Sequence, residues 1–455
     1  MPFILGANSL AGGGYQIDNS LRFNSGSSDY LSRTTWGTPT DAKKFTLSFW
    51  VKRGTLGVRN TLVGSYDNSS AASFFFSLEA NDTLYIALGG SSDYDLQTTQ
   101  LFRDVSAWYH IVYAVDSTQA TASNRQKLYI NGSQVTAFNY INYTTLNSTT
   151  LLFNNSYRNN IGSQWQISGF LNGYMSEFYF IDGQQLTPTD FGEFDEDSGI
   201  WKPIKYTGTY GTNGFYLEFQ DSGALGTDTS GNGNNFTVNN LTSIDQTTDT
   251  PTNNFATLNP LYNFYGDNTY SEGNLKIVAG GAWSGALGTM AVSTGKWYWE
   301  IKLTATITNH FIGVQTINVD VSTINPQQKA GTLVLYNNDG GLIYRDNVNI
   351  GGTYGTLSSG DIAGMALDMG AGSYGQLTIY KNGVAIASNI DLSSTSNGAI
   401  LPFSATNGST EEYNFGNPSF TISSGNSDAN GIGNFEYLPP TGYLALCTTN
   451  LATDG

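Results

Sequence analysis

The sequence predicts an all-β protein, with two tandem antiparallel β-sandwiches and a β-rich module between them. Three observations carry this. Short apolar and aromatic runs recur along the chain, each alternating at period two and ended by Gly, Asn, Asp or Ser. Sustained apolar periodicity at 3.6 residues is nearly absent. Finally, 28 Tyr, 25 Phe and 8 Trp among 455 residues supply the bulk for real cores, which a disordered chain lacks.

The elements follow in order. In FTLSFWVK, Phe45, Leu47, Phe49 and Val51 share one face and Thr46, Ser48 and Lys52 the other, which predicts one packed and one wet side. WYHIVYAVD has two apolar faces, as a central strand does. KLYINGSQV puts Asn131 and Gly132 where a type I′ hairpin needs positive φ. From Ile161, IGSQWQISGFLNGYMSEFYFIDGQQLTPTDFG predicts another strand pair, a turn led by Pro188 and a short helical segment. The stretch from Lys205 to Asn259, rich in Thr, Asn, Gly and Asp, reads as a connecting module with GFYLEFQ as a strand inside it. A second block runs from Leu261 to Phe420. It includes KWYWEIKL, with Trp297, Trp299, Ile301 and Leu303 facing one way, and LTIYKNGVAI, with a second Asn-Gly hairpin at Asn382 and Gly383. The predicted boundaries are 1–204, 205–260, 261–425 and a Pro- and Gly-punctuated tail, 426–455. No repeat of roughly 20–50 residues points to a solenoid or propeller.

Composition excludes several functions. With 19 Lys and Arg against 36 Asp and Glu the net charge is −17, which repels phosphate backbones and anionic membrane surfaces. Nucleic-acid binding and membrane insertion are therefore not expected. Charged residues make up 12% of the chain, against roughly 25% in typical soluble domains. The single Cys447 precludes an internal disulfide, and His110 and His310 are too few for a His-rich metal centre. The start, MPFILGANSLAGGGYQ, has no basic segment, and no later run approaches roughly eighteen apolar residues. The expectation is a chain that is neither a standard secretory precursor nor membrane-spanning.

SLRFNSGSSDYLS, FTLSFWVK, WYHIVYAVD with KLYINGSQV, and FLNGYMSEFYFIDGQQLT lie in the order found in laminin-G-like, concanavalin-A-like jelly-roll domains, which residues 15–195 therefore resemble. GFYLEFQDSGALGTDTSGNGNNFT resembles an opening segment of the same family, and would complete a sandwich. KWYWEIKL, FIGVQ, GDIAGMALDM, LTIYKNGVAI, LPFSATNG and YNFGNPSF, across residues 295–420, resemble a SPRY-type domain. The combination, with the tail GYLALCTTNL, is similar to virion proteins of tailed phages, where such domains sit on fibres or head decorations. The resemblance implies a virion-surface protein made in the host cytoplasm and released by lysis, which needs neither export signal nor disulfide.

Candidate sites divide by chemistry. EFDED alternates Glu193, Asp195 and Asp197 as a glucanase strand would, but with no strand pattern around it; an acidic solvated loop is expected, and no catalytic residue is assigned. His110 and His310 lie in apolar strands and read as hydrogen-bonded core histidines, and Cys447 as a small buried side chain. The jelly-roll relatives often hold Ca²⁺ at a sandwich rim, and Asp67, Asn68, Asp228 and Asn232 are the candidate oxygen ligands, with Asp93 and Asp95 as further loop carboxylates. No other cofactor is expected. Glycan binding needs an exposed aromatic to stack on a sugar and amides or carboxylates for its hydroxyls. Asp93, Tyr94, Asp95, Asn139, Tyr140 and Asn142 meet that pattern, as does Trp165 beside Gln164 and Gln166. By analogy with SPRY-type domains, the segments Asn337 to Arg345 and Asn407 to Tyr413 would contact partners. The functional expectation is a non-enzymatic tail-fibre, head-fibre or decoration protein that recognises a host-surface glycan by multivalent binding. A purely structural cement or anchor is the alternative, and a glycan depolymerase a third. Other virion subunits, a host glycan and further copies of the chain, guessed as a trimer, are the expected partners.

Overall fold

In the computed structural model, residues 14–66, 73–88, 95–149, 152–154, 157–164, 168–262, 268–280, 283–305, 309–317, 329–337, 340–396 and 398–455 are described. They are almost entirely β, with one α-helix, Thr448–Asp454, and a few short 3₁₀ turns. Two compact units result, Gly13–Thr252 and Asn253–Gly455. No helix among the described residues is long and apolar enough to cross a membrane.

The N-terminal unit packs two sheets face to face. Taken by strand, the first runs 133–134, 126–130, 108–116, 44–53, 173–182, 20–23 and 246–247, with 215–217 added against 173–182. The second runs 138–141, 96–101, 83–88, 73–78, 60–66, 158–161, 30–33 and 237–239. Phe45, Leu47, Phe49 and Val51 enter the core between the sheets as their alternation predicts, meeting Phe74, Phe76, Leu84 and Ile86 from the opposite side. The other face of that strand is not wet. Thr46, Ser48 and Lys52 are buried, because a third layer made of residues 184–210 and 249–252 covers the sheet. Lys52 Nζ lies 2.8 Å from Asp249, which also accepts the Trp108 indole N–H at 3.2 Å.

The segment expected as a connecting module is part of this sandwich. Phe215–Leu217 pairs with 173–182, Thr237–Asn239 with 30–33, and Gln246–Thr247 with 20–23. Its Thr, Asn and Gly belong to the tight turns between these short strands. The first unit therefore extends to Thr252.

In the C-terminal unit one sheet runs 269–271, 276–278, 410–414, 296–303, 362–368, 376–381 and 384–391; the other runs 284–287, 400–406, 310–316, 332–336, 342–345 and 348–349. Trp297, Trp299, Ile301 and Leu303 fill the core between them. The C-terminal residues form structure, not a free tail. Leu444–Ala445 pairs in parallel with 296–303, and Glu300 on the outer side of that strand accepts the backbone N–H groups of Glu436 and Tyr437 at 3.0 and 2.8 Å.

Both predicted hairpins form with positive φ at both turn residues, 46° and 78° at Asn131 and Gly132, 48° and 79° at Asn382 and Gly383. In each, the Asn side chain accepts a neighbouring strand's backbone N–H, from His110 at 2.7 Å and from Ile362 at 2.9 Å. A Cβ at Gly132 would strike Trp201, and one at Gly383 would strike Tyr437. Glycine is required there twice over, for φ and for space.

Candidate functional site

The second sheet of the N-terminal unit turns its outer face outward at the edge made by strand Phe138–Ile141. Pairing across five strands places Thr61, Ser77, Tyr85, Gln97 and Tyr140 in one row. They share a face because their neighbours Phe76, Leu84, Ile86 and Leu96 point into the core. Tyr140, at the edge, is 43% exposed. Its ring meets Tyr85 edge-on, centroids 6.1 Å apart, and Tyr85 meets Phe75 likewise at 5.2 Å. The Tyr85 hydroxyl donates to Asp95 Oδ2 at 2.9 Å. Burial, then Tyr140 and Asp95 beside it, hold the Tyr85 phenol well above its usual pKa, so it stays a donor.

Pairing of 138–141 with 96–101 brings together residues some forty positions apart in the chain. The Asn142 N–H donates to the Asp95 carbonyl at 2.7 Å, and the Asn139 amide donates to the Thr98 carbonyl at 3.0 Å. Thus Asp95, Asn139, Tyr140 and Asn142, predicted from two separate loops, share one sheet edge. Asp93, Tyr94 and Trp165 lie outside the described residues, as do Asp67 and Asn68. The described ends of the Trp165 loop reach the same sheet: Gln164 N–H donates to Ser168, and Thr61 N–H to Gly169, each at 2.9 Å. Tyr85 and Gln97 were not singled out from sequence, although the alternation in TLYIAL does place Tyr85 opposite Leu84 and Ile86.

Other candidates have structural roles. Asp228 does not fit calcium: Oδ1 accepts the N–H groups of Tyr216 and Ser230, and Oδ2 that of Asn234. Asn232 turns its amide N–H groups to the carbonyls of Gly211 and Gly214. Among the described residues no group of three acidic, His or Cys side chains is placed to hold a metal. Glu193 lies in a short hairpin, Gly192–Phe194 with Trp201–Pro203, and not in a loop as expected. Lys202 sits 3.4 Å from Glu193 and 3.2 Å from Asp195. Asp195 is held down to about 2, chiefly by the backbone N–H and hydroxyl of Ser198 and then by Lys202.

His110 is buried between Trp50 and Trp201, stacked at 4.7 and 5.9 Å. The Trp201 indole N–H donates to Nδ1 at 2.9 Å, so Nε2 carries the proton and donates to Ser48 Oγ. Burial pushes its pKa down to about 3, keeping it neutral. His310 Nε2 lies 2.7 Å from Glu411, whose other oxygen accepts the Tyr413 hydroxyl at 3.0 Å, all within the C-terminal core. Of the two segments expected to contact partners, Asn337 bridges to the Leu357 backbone at both its amide atoms, and Glu411 and Tyr413 are buried. Burial pushes the Cys447 thiol up to about 12.

Residues 25–190 match the model of the concanavalin A-like lectin/glucanases superfamily, laminin-G type. No curated protein is similar to the chain. Among solved structures, the SPRY domain of human HERC1 is similar at 16% identity over 34% of this chain and 96% of that one, with a TM-score of 0.29. A heptameric SAP-like pentraxin of Limulus polyphemus is similar at 15% identity over 38% and 78%, TM-score 0.28. A Bacteroides ovatus protein described as a candidate carbohydrate binder is similar at 18% identity over 50% and 59%, TM-score 0.33.

Proposed function

We propose that this protein is a non-enzymatic, glycan-binding protein of a virion surface, carried in many copies on a tail fibre, head fibre or capsid decoration, where it contributes to host recognition. One observation carries the binding role: the exposed Tyr140 ring stands on a sheet edge with Asp95, Asn139 and Gln97 around it. An aromatic face stacks on the apolar face of a sugar while flanking carboxylate and amide groups bond its hydroxyls. The superfamily matched by residues 25–190 supports this reading, since lectins are among its members. The virion setting rests on the resemblance of the two sandwiches and the C-terminal segment to phage proteins. Each shallow site gives modest affinity, and many copies on one particle convert that into attachment. Self-association of the isolated chain belongs to this reading, and sedimentation showing only monomer at micromolar concentration counts against it.

The test is binding of the purified protein to immobilised host-surface polysaccharide. Tyr140→Ala should weaken it about tenfold, the loss of a stacking contact worth about 1.4 kcal/mol, with an unchanged circular dichroism spectrum. Unaltered binding by that variant removes the edge as the site. Release of reducing sugar would overturn the non-enzymatic reading, and failure of the protein to block phage adsorption would leave decoration or anchoring as its role.

A further inference from the structure

A second site lies on the opposite side of the N-terminal sandwich, where the third layer leaves a cleft of about 180 Å³ over the first sheet. At roughly 30 Å³ per water, that is the space of about six waters, or of a single sugar ring. Its floor is Glu177. Strand 173–182 carries one extra residue between Ser176 and Tyr179 against strand 44–53, and Glu177 there has φ of +50°. Such a bulge re-aims a side chain, and left-handed backbone in a non-glycine residue costs energy that the surroundings must supply. Here it turns a carboxyl to the outer face while Met175 and Phe178 keep their places in the core.

Glu177 is 4% exposed and forms no ion pair among the described residues, although Lys205 lines the same cleft. Three phenols from separate segments hold it: Tyr216 on Oε1 at 2.5 Å, Tyr179 on Oε2 at 2.5 Å and Tyr15 on Oε2 at 3.1 Å. Tyr15 and Tyr216 also lie 3.2 Å apart, hydroxyl to hydroxyl. These four contacts need four protons. Three phenols supply three, so the ring closes fully only when the carboxyl is protonated.

Around this floor the rim is Tyr15, Gln16, Asp18, Lys205, Glu218 and Gln220. Two buried cations of the unit are paired, Lys52 with Asp249 and Arg53 with Asp82. By contrast, no ion pair or hydrogen bond engages the side chains of Asp18, Lys205 or Glu218 among the described residues. The rim carboxylates disfavour an anion in the cleft, and Lys205 offsets part of their pull on a cation. A neutral ring of hydroxyls, each both donor and acceptor, satisfies both kinds of rim group at once.

From this geometry we infer that the cleft binds one hydroxyl-rich ring, such as a terminal monosaccharide, through Tyr15, Asp18, Lys205 and Glu218, with Glu177 as a positioning residue that holds Tyr15 in place. The ligand class rests on the glycan-binding reading above, but the site is separate from the Tyr140 edge. One copy would then engage glycans on two opposite faces of its N-terminal unit.

The test is saturation-transfer NMR on the full chain with D-glucose, D-galactose, D-mannose and N-acetyl-D-glucosamine as probes. At least one probe should receive saturation from the wild type and equally from Tyr140→Ala. The double variant Lys205→Ala, Glu218→Gln, at surface positions that leave the cores intact, should weaken that sugar about tenfold. A signal abolished by Tyr140→Ala and untouched by the double variant overturns the cleft while leaving the edge site standing. Transfer to none of the four sugars, from a folded protein, overturns the cleft proposal outright.

Discussion

Two buried titratable residues in the N-terminal unit pull stability in opposite directions with pH. His110 is held neutral with a folded pKa near 3, whereas an unfolded histidine titrates near roughly 6.5. The folded state binds fewer protons between those values, so its contribution is complete above the upper one and is lost as pH falls through the window. Tryptophan emission, reporting Trp50 and Trp201 on either side of the ring, should stay native at mildly acidic pH and change as pH approaches 3. Glu177 is the reverse case. Burial raises its pKa, outweighing the tyrosine bonds that lower it, so the folded state binds more protons and stability falls as pH rises above the usual carboxylate range. Facing it are Tyr15, Asp18, Tyr179, Lys205, Tyr210, Tyr216 and Glu218. Glu177→Gln keeps the shape and cannot ionise. In urea unfolding, the variant should gain on the wild type as pH goes from about 5 to about 8; a constant difference would show that the native carboxyl is already ionised.

At the scale of the element, the two units use the same loop device. In DTSGNGNNF, Asp228 gathers three backbone N–H groups before Phe236 enters the core. In DANGIGNF, Asp428 accepts the N–H groups of Asn430, Ile432 and Ala445 and the Asn450 amide before Phe435 is buried. The paired glycines Gly231 with Gly233, and Gly431 with Gly433, all have positive φ. Each aspartate replaces the ladder bonds that an irregular segment lacks. Removing one strands several buried donors. Asp428→Ala should cost about 3 kcal/mol and expose the C-terminal segment to protease before the rest of its unit. Cleavage no faster than in the wild type would show that the strand 444–445 and the Glu300 contacts suffice without Asp428.

At the scale of the molecule, each unit has its own core and closes its own sheets. The N-terminal unit does so only with residues 205–252, which supply three strands. A fragment ending at residue 204 should therefore aggregate or stay unfolded, since Phe215, Leu217 and Phe236 would be missing from its core. One ending at 252 should give a cooperative unfolding transition. Equal behaviour of the two fragments would contradict the assignment of these strands to the N-terminal core.

The all-β class, the runs 44–53, 108–116 and 296–303 and both Asn-Gly hairpins were legible in the sequence, because period two and turn chemistry are local. So was half of the candidate edge: Asp95, Asn139, Tyr140 and Asn142 stand out as loop polar and aromatic residues. Their meeting was not legible, because it depends on the pairing of 138–141 with 96–101. Nor was the burial of Thr46, Ser48 and Lys52, since alternation shows which side chains share a face and not what a later segment lays over it. Glu177 is the sharpest case. Sequence shows an acid inside an aromatic strand with Tyr179 two residues on, while the bulge, the phenols of Tyr15 and Tyr216 and the cleft above them exist only once the chain has closed on itself, because the contacts that bring them together are long-range.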